Sequence, residues 1–272
     1  MFYNRVLESK EYIRNIIKEE KIDLAIILGS GLGKITDIFE NKVVIPYKDI
    51  PGFPQITVKG HEGNLVFGNI GNKKVMAVSG RFHYYEGFTM KEVAYPVFLM
   101  KLLDIKTMIV SNACGGINPN FKPGDIMIIT DFINSISNNP LIGANDERFG
   151  VRFPDMSEPF SNELIEKTEL EGKKLGLDLK KGVYTFFQGP YYETKAEIRM
   201  YKLLGSDAIG MSTVPEVIAS NYLGIKTVGL SCITNMATGL RDGKHSHEEV
   251  LEIAKKTSEN LCKLVENLVM SM

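Results

Sequence analysis

Five short apolar segments of this sequence each end in glycine, a small polar residue or a charged residue. They occupy residues 25–33, 75–83, 108–116, 208–213 and 228–235. Their apolar residues are not interleaved with polar ones, which is typical of strands buried on both faces of a mostly parallel sheet. In such sheets ligands bind beyond the carboxyl ends of the strands. The pattern therefore predicts an α/β fold and a candidate site where the polar residues follow the strands.

Helices are predicted between these strands by capping boxes, in which a Ser or Thr cap is followed three residues later by Glu. Four such pairs occur, at Thr89/Glu92, Thr194/Glu197, Thr213/Glu216 and Ser246/Glu249. The 272 residues contain no linker rich in Pro, Ser or Gly and no repeat. A chain of this length is near the upper limit for folding around a single hydrophobic core. We therefore expect one domain over residues 1–272, with a central, mostly parallel (mixed) twisted sheet flanked by helices.

Charge and composition narrow the classes of partner. The net charge of −1 does not indicate a nucleic-acid or membrane-surface partner, and no apolar run approaches the length of a membrane span. The three cysteines form no CxxC motif, which favours free thiols and a cytoplasmic location. The four histidines lack a metal-ligand spacing such as HExxH. We therefore expect no metal and no cofactor.

A glycine-rich loop, GSGLG at residues 29–33, follows the first predicted strand. Its small residues would let backbone N–H groups approach an oxyanion, and Ser30 could donate a hydroxyl. Lys34 stands where the dinucleotide fingerprint GxGxxG requires its third glycine, so that motif is incomplete. The alternative is a tight turn between a strand and a helix.

Two further segments carry candidate anion-binding groups. Arg81 and His83 lie two residues apart after a predicted strand, so on an extended path they would project to one side and clamp an anion. The alternative is a surface loop with an incidental ion pair. In residues 112–118, paired glycines would allow the backbone near Ala113 to approach a ligand. Cys114 has no base linked to it by sequence, which favours a buried structural thiol.

Glu193 and Asn235 are the candidates for recognising a ring with base-like polar groups. A carboxylate accepts a hydrogen bond from a ring N–H, and an amide both donates and accepts. The alternative is a glutamate at a helix entrance and an asparagine in a turn. His247 follows a predicted helix cap and would serve as a neutral hydrogen-bonding group, and His61 lies in a glycine-flanked turn that could gate the site. For both, a structural histidine is the alternative.

Taken together, the motifs resemble those of the trimeric purine nucleoside phosphorylases, in the order of that family and over nearly the whole chain. They are LGSGLG (28–33), GHEG (60–63), GRFHYYEG (80–87), SNACGGIN (111–118), RFPDMS (152–157), GPYYET (189–194), GMSTVPE (210–216), CITN (232–235) and HEEV (247–250). The resemblance implies a nucleoside phosphorylase-like fold and a homotrimer.

The resemblance also implies roles for individual residues. Those expected to bind phosphate are Ser30, Arg81, His83, the Ala113 backbone and Ser212. Those expected to contact the ribose are Tyr85, Met211, His247 and, from the adjacent subunit, Phe153. Those expected to hold the purine are Tyr192, Glu193, Ile209, Thr234 and Asn235. His61 and Glu86 would lie on loops near the phosphate and ribose. The catalytic residues would be Asn235, Glu193 and His83.

The implied reaction is phosphorolysis of inosine, guanosine or their deoxy forms to a free purine and (deoxy)ribose 1-phosphate, in purine salvage. Glu193 facing the purine N1–H and Asn235 facing O6 and N7 favour 6-oxopurines over adenine, which lacks N1–H. Three alternatives remain open at this stage: a methylthioadenosine phosphorylase, a nicotinamide-dependent oxidoreductase and a non-catalytic binder of phosphorylated metabolites. The substrates would be small molecules, with no nucleic acid or membrane involved.

Overall fold

The computed structural model describes residues 2–18, 21–29, 33–55, 63–240 and 247–272, with the side chains of the last segment described from residue 250 onwards. The helices are α1 (Phe2–Ile17), α2 (Met90–Val93), α3 (Tyr95–Leu102), α4 (Asn162–Lys174), α5 (Lys195–Leu203), α6 (Val214–Tyr222) and α7 (His247–Ser271). Short 3₁₀ helices occupy Gly33–Ile38, Tyr47–Asp49 and Tyr84–Glu86.

The strands are β1 (Leu24–Ile27), β2 (Glu40–Pro46), β3 (Asn64–Ile70), β4 (Lys73–Ser79), β5 (Thr107–Gly116), β6 (Ile126–Asn134), β7 (Lys180–Phe186), β8 (Ala208–Gly210) and β9 (Lys226–Met236). All five apolar segments singled out in the sequence form strands, namely β1, β4, β5, β8 and β9. Within the described ranges the strands form one sheet in the order β2-β3-β4-β1-β5-β8-β7-β6-β9.

The long strand β5 belongs to two parts of this sheet. One edge of β5 pairs in parallel with β1 and then, at its last two residues, with the antiparallel β8. The other edge pairs in parallel with β9 along the whole length of β5. Because β9 also pairs with β6, the strands β5, β8, β7, β6 and β9 close into a ring, and β1 to β4 extend the sheet outward from it. The sheet is mixed, as expected, because β2–β3, β3–β4, β5–β8 and β6–β9 are antiparallel.

Burial on both faces explains the apolar runs. Every residue of β1 is buried, and so are residues 227–235 of β9. The helices pack in two groups, with α1, α2, α3 and α6 contacting one another and α4 contacting α7, and β9 is contacted by α6 as well as by α4 and α7. This arrangement confirms the α/β fold. Within the described ranges, no helix has the length and apolar character needed to cross a membrane.

Two of the predicted capping boxes are present and one is wrong. The side chains of Thr89 and Thr194 cap α2 and α5 and are answered by Glu92 and Glu197. Thr213 makes no side-chain cap at the start of α6, although its pairing with Glu216 was expected. The fourth pair begins at Ser246, which lies outside the described residues. The failure at Thr213 has a physical cause that becomes visible in the site.

Candidate active site

One cleft collects polar side chains from the carboxyl ends of β4, β5, β8 and β9 and from the segment between β7 and α5. The residues predicted to bind phosphate that line it are Arg81, His83, Ala113 and Ser212. The predicted ribose contacts that line it are Tyr85 and Met211. The predicted purine contacts that line it are Tyr192, Glu193, Ile209, Thr234 and Asn235. The fold therefore brings together residues that are up to 154 positions apart in the sequence, from Arg81 to Asn235.

Five predicted site residues either do not line this cleft or lie outside the described residues. Ser30 and His61 lie outside the described residues, as does the side chain of His247 at the start of α7. Phe153 does not line this cleft and is 86% exposed. Glu86 contacts the ring of His83 and is not among the residues that line the cleft.

Arg81 is held from two sides at the base of the cleft. Its Nη1 donates a hydrogen bond to Ser212 Oγ at 2.9 Å, and its Nε lies 2.9 Å from Glu216 Oε1. The contact with Glu216 is an ion pair without a well-directed hydrogen bond, and both side chains are almost fully buried. The third nitrogen, Nη2, has no hydrogen-bond partner among the described residues. The planar guanidinium is therefore fixed with donor capacity left over.

The turn that follows β8 explains why Thr213 is not a helix cap. Thr213 has φ 77° and ψ −52°, and the N–H of Val214 donates to the carbonyl of Ser212 at 2.9 Å. These values define a γ-turn with positive φ, a strained conformation for a β-branched residue. Asn112 Nδ2 donates to Thr213 Oγ1 at 2.9 Å, so the hydroxyl expected at the helix N-terminus is used by β5. The turn presents Ser212 to the cleft and releases Glu216 to pair with Arg81.

His83 is oriented by a local contact with Glu86. The backbone N–H of His83 donates to Glu86 Oε1 at 2.9 Å, and the ring Nδ1 lies 2.9 Å from the same oxygen. Because a carboxylate can only accept, Nδ1 carries the proton in this pair. The Tyr85 ring stacks on the His83 ring with centroids 4.8 Å apart. Burial, followed by the neighbouring Glu86 carboxylate, raises the pKa of Tyr85 to about 12, which keeps its hydroxyl protonated as a donor.

The cleft is also lined by Glu193 and Asn235, which are only 5% and 6% exposed. Burial raises the pKa of Glu193 to about 7, against a smaller lowering by its own backbone N–H. Among the described residues, no Lys, Arg or His forms an ion pair with Glu193. Asn235 accepts from the Thr234 hydroxyl at 3.0 Å and donates to the carbonyl of Met236 at 3.2 Å. Glu193 therefore offers an acceptor whose charge depends on pH, and the amide of Asn235 offers both a donor and an acceptor.

Cys114 follows its structural alternative, whereas only Gly29 and Gly33 of the first glycine loop lie within the described residues. Cys114 is buried, and burial raises the pKa of its thiol well above the usual range, so it is a poor nucleophile at neutral pH. A Cβ added to Gly29 would come within 2.7 Å of the Asn112 Cα, so this glycine permits close packing on β5. No group of three or more His, Cys, Asp or Glu side chains in the described part of the chain is arranged to hold a metal ion.

Sequence reasoning missed several residues of the site, Gly210 among them. Ala237 and Val250 line the cleft but are apolar and resemble ordinary core positions. Glu216 was assigned to a capping box, although a signal was available in its surroundings. It stands among Val214, Pro215 and Val217, and a carboxylate in such an apolar stretch requires a buried partner.

Comparison with known proteins places these features in a family. The model of the phosphorylase superfamily matches residues 23–270. Purine nucleoside phosphorylase 1 of Bacillus subtilis is 48% identical over 267 residues, which cover 98% of each chain. A structure of a Schistosoma purine nucleoside phosphorylase in complex with hypoxanthine superimposes with a TM-score of 0.94 at 38% identity, covering 99% of this chain and 97% of that one. The Schistosoma mansoni enzyme in complex with inosine gives a TM-score of 0.94 at 37% identity, covering 99% and 96%.

Proposed function

The chain belongs to the phosphorylase superfamily, and from this premise we propose that its cleft performs phosphorolysis of 6-oxopurine nucleosides. Inosine, guanosine or their deoxy forms react with orthophosphate to give the free purine and (deoxy)ribose 1-phosphate. The relatives named for purine nucleoside phosphorylase, including one bound to inosine and to hypoxanthine, support the reaction class. The observation that carries the substrate assignment is that the buried Glu193 and Asn235 line one cleft together with Arg81.

The anion half of the cleft is suited to hold the attacking phosphate. Arg81, His83, Ala113 and Ser212 line the same cleft. Ser212 Oγ accepts from Arg81, and Thr213 Oγ1, which lies 3.3 Å away and already accepts from Asn112, can donate to it as well, so that the Ser212 proton is free to turn to an anion. In this proposal Ser30 and His61, from loops beyond the described residues, complete the shell. A phosphate oxygen then forms the bond to C1′ of the sugar.

The base half is suited to stabilise the leaving purine. The electron pair of the C1′–N9 bond passes to the purine as this bond breaks, and the sugar gains oxocarbenium character. Asn235 donates to N7, where negative charge accumulates, and Glu193 accepts from N1–H. Hydrogen bonds that strengthen as this charge develops stabilise the transition state more than the bound substrate, which makes Asn235 and Glu193 catalytic residues in this proposal. His83, on the phosphate side, is the third proposed catalytic residue. Tyr85, Met211 and His247 would hold the ribose between the two halves, and Tyr192, Ile209 and Thr234 would pack around the base.

Assembly is the second part of the proposal. Phe153 is 86% exposed in the single chain, with its ring next to the Arg152 guanidinium. A large aromatic ring in water is stabilised by burial against a partner. We propose that Phe153 completes the ribose region of a neighbouring subunit in a homotrimer, and that the enzyme works in the cytoplasm. Light scattering together with mixing of Phe153→Ala and Glu193→Ala subunits tests this, because restored activity on mixing requires a site shared between subunits.

The test of the reaction is a panel of purine nucleosides with and without phosphate. We expect hypoxanthine release from inosine that disappears when phosphate is omitted, and little release of adenine from adenosine at pH 8. Equal release without phosphate would identify a hydrolase and contradict the mechanism. Preferred cleavage of methylthioadenosine in the same panel would replace the 6-oxopurine assignment.

A further inference from the structure

The buried carboxylate of Glu216 has no place in the reaction proposed above, although it touches the residue assigned to phosphate. It lies in the first turn of α6, only 1% exposed, on an element that contributes no other ion pair to the cleft among the described residues. A buried carboxylate is costly unless it is compensated. Within the described residues its ionic partner is Arg81, at 2.9 Å from Nε to Oε1.

The two anchors of Arg81 use different edges of the guanidinium. Glu216 holds the Nε edge from α6, and Ser212 holds Nη1 from the γ-turn that precedes α6. Both anchors therefore come from one continuous segment, residues 212–216. Nη2 is the nitrogen with no hydrogen-bond partner among the described residues, and Arg81 lines the cleft. A planar fork that is held at two of its nitrogens keeps a single orientation relative to the cleft.

The γ-turn makes this arrangement possible. In an ordinary capping box the carboxylate at the third helical position would bind back to the N–H of the cap residue. Here Thr213 has φ 77° and its hydroxyl is held by Asn112, so Glu216 is turned away from that role. The strain at Thr213 thus frees one carboxylate to face Arg81, which arrives from the end of β4.

We propose that Glu216 is a positioning residue, which fixes the Arg81 guanidinium in the orientation that binds phosphate. The inference rests on the proposed function, since it concerns the phosphate side of the same site. Glu216 does not contact the substrate. Its carboxylate acts through Arg81 alone and sets the affinity for phosphate without changing the affinity for the nucleoside.

The experiment compares Glu216→Gln, Glu216→Asp and wild type in phosphate-dependent cleavage of inosine. Glu216→Gln keeps the shape but removes the charge, and we expect its KM for phosphate to rise about tenfold while its KM for inosine stays within twofold. Glu216→Asp restores a carboxylate, and we expect a KM for phosphate between the other two. The matched control is Glu171→Gln, since Glu171 is also buried and paired with a lysine, but lies in α4 outside the cleft. It should leave both KM values unchanged.

A second readout does not require turnover. Phosphate alone, without nucleoside, should raise the Tm of wild type and of Glu171→Gln, and should raise the Tm of Glu216→Gln only at about tenfold higher concentration. An unchanged KM for phosphate in Glu216→Gln, a parallel rise in both KM values, or tighter phosphate binding would each overturn the proposal. Absence of phosphate-dependent cleavage in wild type would instead overturn the proposed function.

Discussion

The two halves of the cleft differ in how their charges are balanced. On the anion side, Arg81 is paired with Glu216 and bonded to Ser212, and His83 is oriented by Glu86. On the base side, burial raises the pKa of Glu193 to about 7, and no cation of the described residues pairs with it. The anion side is thus assembled before phosphate arrives, whereas the base side depends on ligand and pH. Preorganised donors cost no rearrangement during the reaction, and an uncompensated carboxyl responds to what it binds.

The largest expected effect comes from removing the centre of the preassembled half. Arg81→Ala should lower kcat/KM for phosphate by about a thousandfold, because a charged donor to the anion is lost from a buried site. The KM for inosine should change far less. Steady-state kinetics with each substrate varied in turn measure this split.

The control for that variant is Arg14→Ala. Arg14 is also buried, but it donates to the carbonyl of Leu103, outside the cleft. Arg81→Ala also leaves Glu216 buried without its partner, so a loss of stability of about 3–5 kcal/mol is expected in addition. A lowered Tm with an unchanged KM for phosphate would show that Arg81 is only structural.

A smaller effect should follow from exchanging the amide on the base side. Asn235→Asp cannot donate to purine N7, so we expect kcat/KM for inosine to fall about a hundredfold. The new carboxylate can accept from the amino group of adenine, so adenosine cleavage should increase relative to inosine cleavage. Asn120→Asp, at an exposed position, is the control and should leave both substrates unaffected. Unchanged selectivity in Asn235→Asp would remove Asn235 from base recognition.

The effect expected to be smallest is a pH dependence confined to the base side. The ionised form of Glu193 is a much stronger acceptor for N1–H than the protonated form, and burial raises its pKa to about 7. The value of kcat/KM for inosine should therefore fall about tenfold per pH unit below pH 7 and level off above it. Glu193→Gln should be less active and should lose this dependence, since an amide does not titrate in this range. An acid limb that persists unchanged in Glu193→Gln would assign the titration to another group.

The raised pKa of Glu193 also affects stability. Raising the pH favours the reaction but lowers the free energy of unfolding. The pKa of Glu193 rises from its ordinary value of 4.5 to about 7 on folding, so the folded protein binds more protons than the unfolded chain between these values. The carboxyl therefore costs no stability below pH 4.5, and its cost grows to about 3 kcal/mol as the pH rises past 7. The ionised form that the reaction uses is thus the one that the fold disfavours.

The sequence predicted features that depend on near neighbours. The five strands follow from runs of apolar residues, and the cap at Thr194 follows from Glu197 three residues away. The location of the cleft followed from the rule that ligands bind at strand ends. In each case the cause lies within a few residues of the effect, or in a property shared by all parallel sheets.

The failures depend on residues that are distant in the chain. Glu216 pairs with Arg81 across 135 positions, and Thr213 is held by Asn112 across 101. The apolar neighbours of Glu216 indicate that its carboxylate needs a buried partner, but they do not identify that partner, because the competing groups come from β4 and β5. The closure of the ring by β5 and β9 is likewise a matter of register between distant strands. The capping interpretation was wrong because tertiary contacts outweigh a local preference.

The pairing of β5 with β1 and β8 on one edge and with β9 on the other affects folding during synthesis. Its longest partner, β9, ends at Met236, so a growing chain exposes an unpaired edge of β5 until more than four-fifths of the polypeptide has left the ribosome. Local segments cannot close the ring beforehand, since its pairings join distant strands. A truncated product that stops before β9 would therefore aggregate rather than work at reduced efficiency.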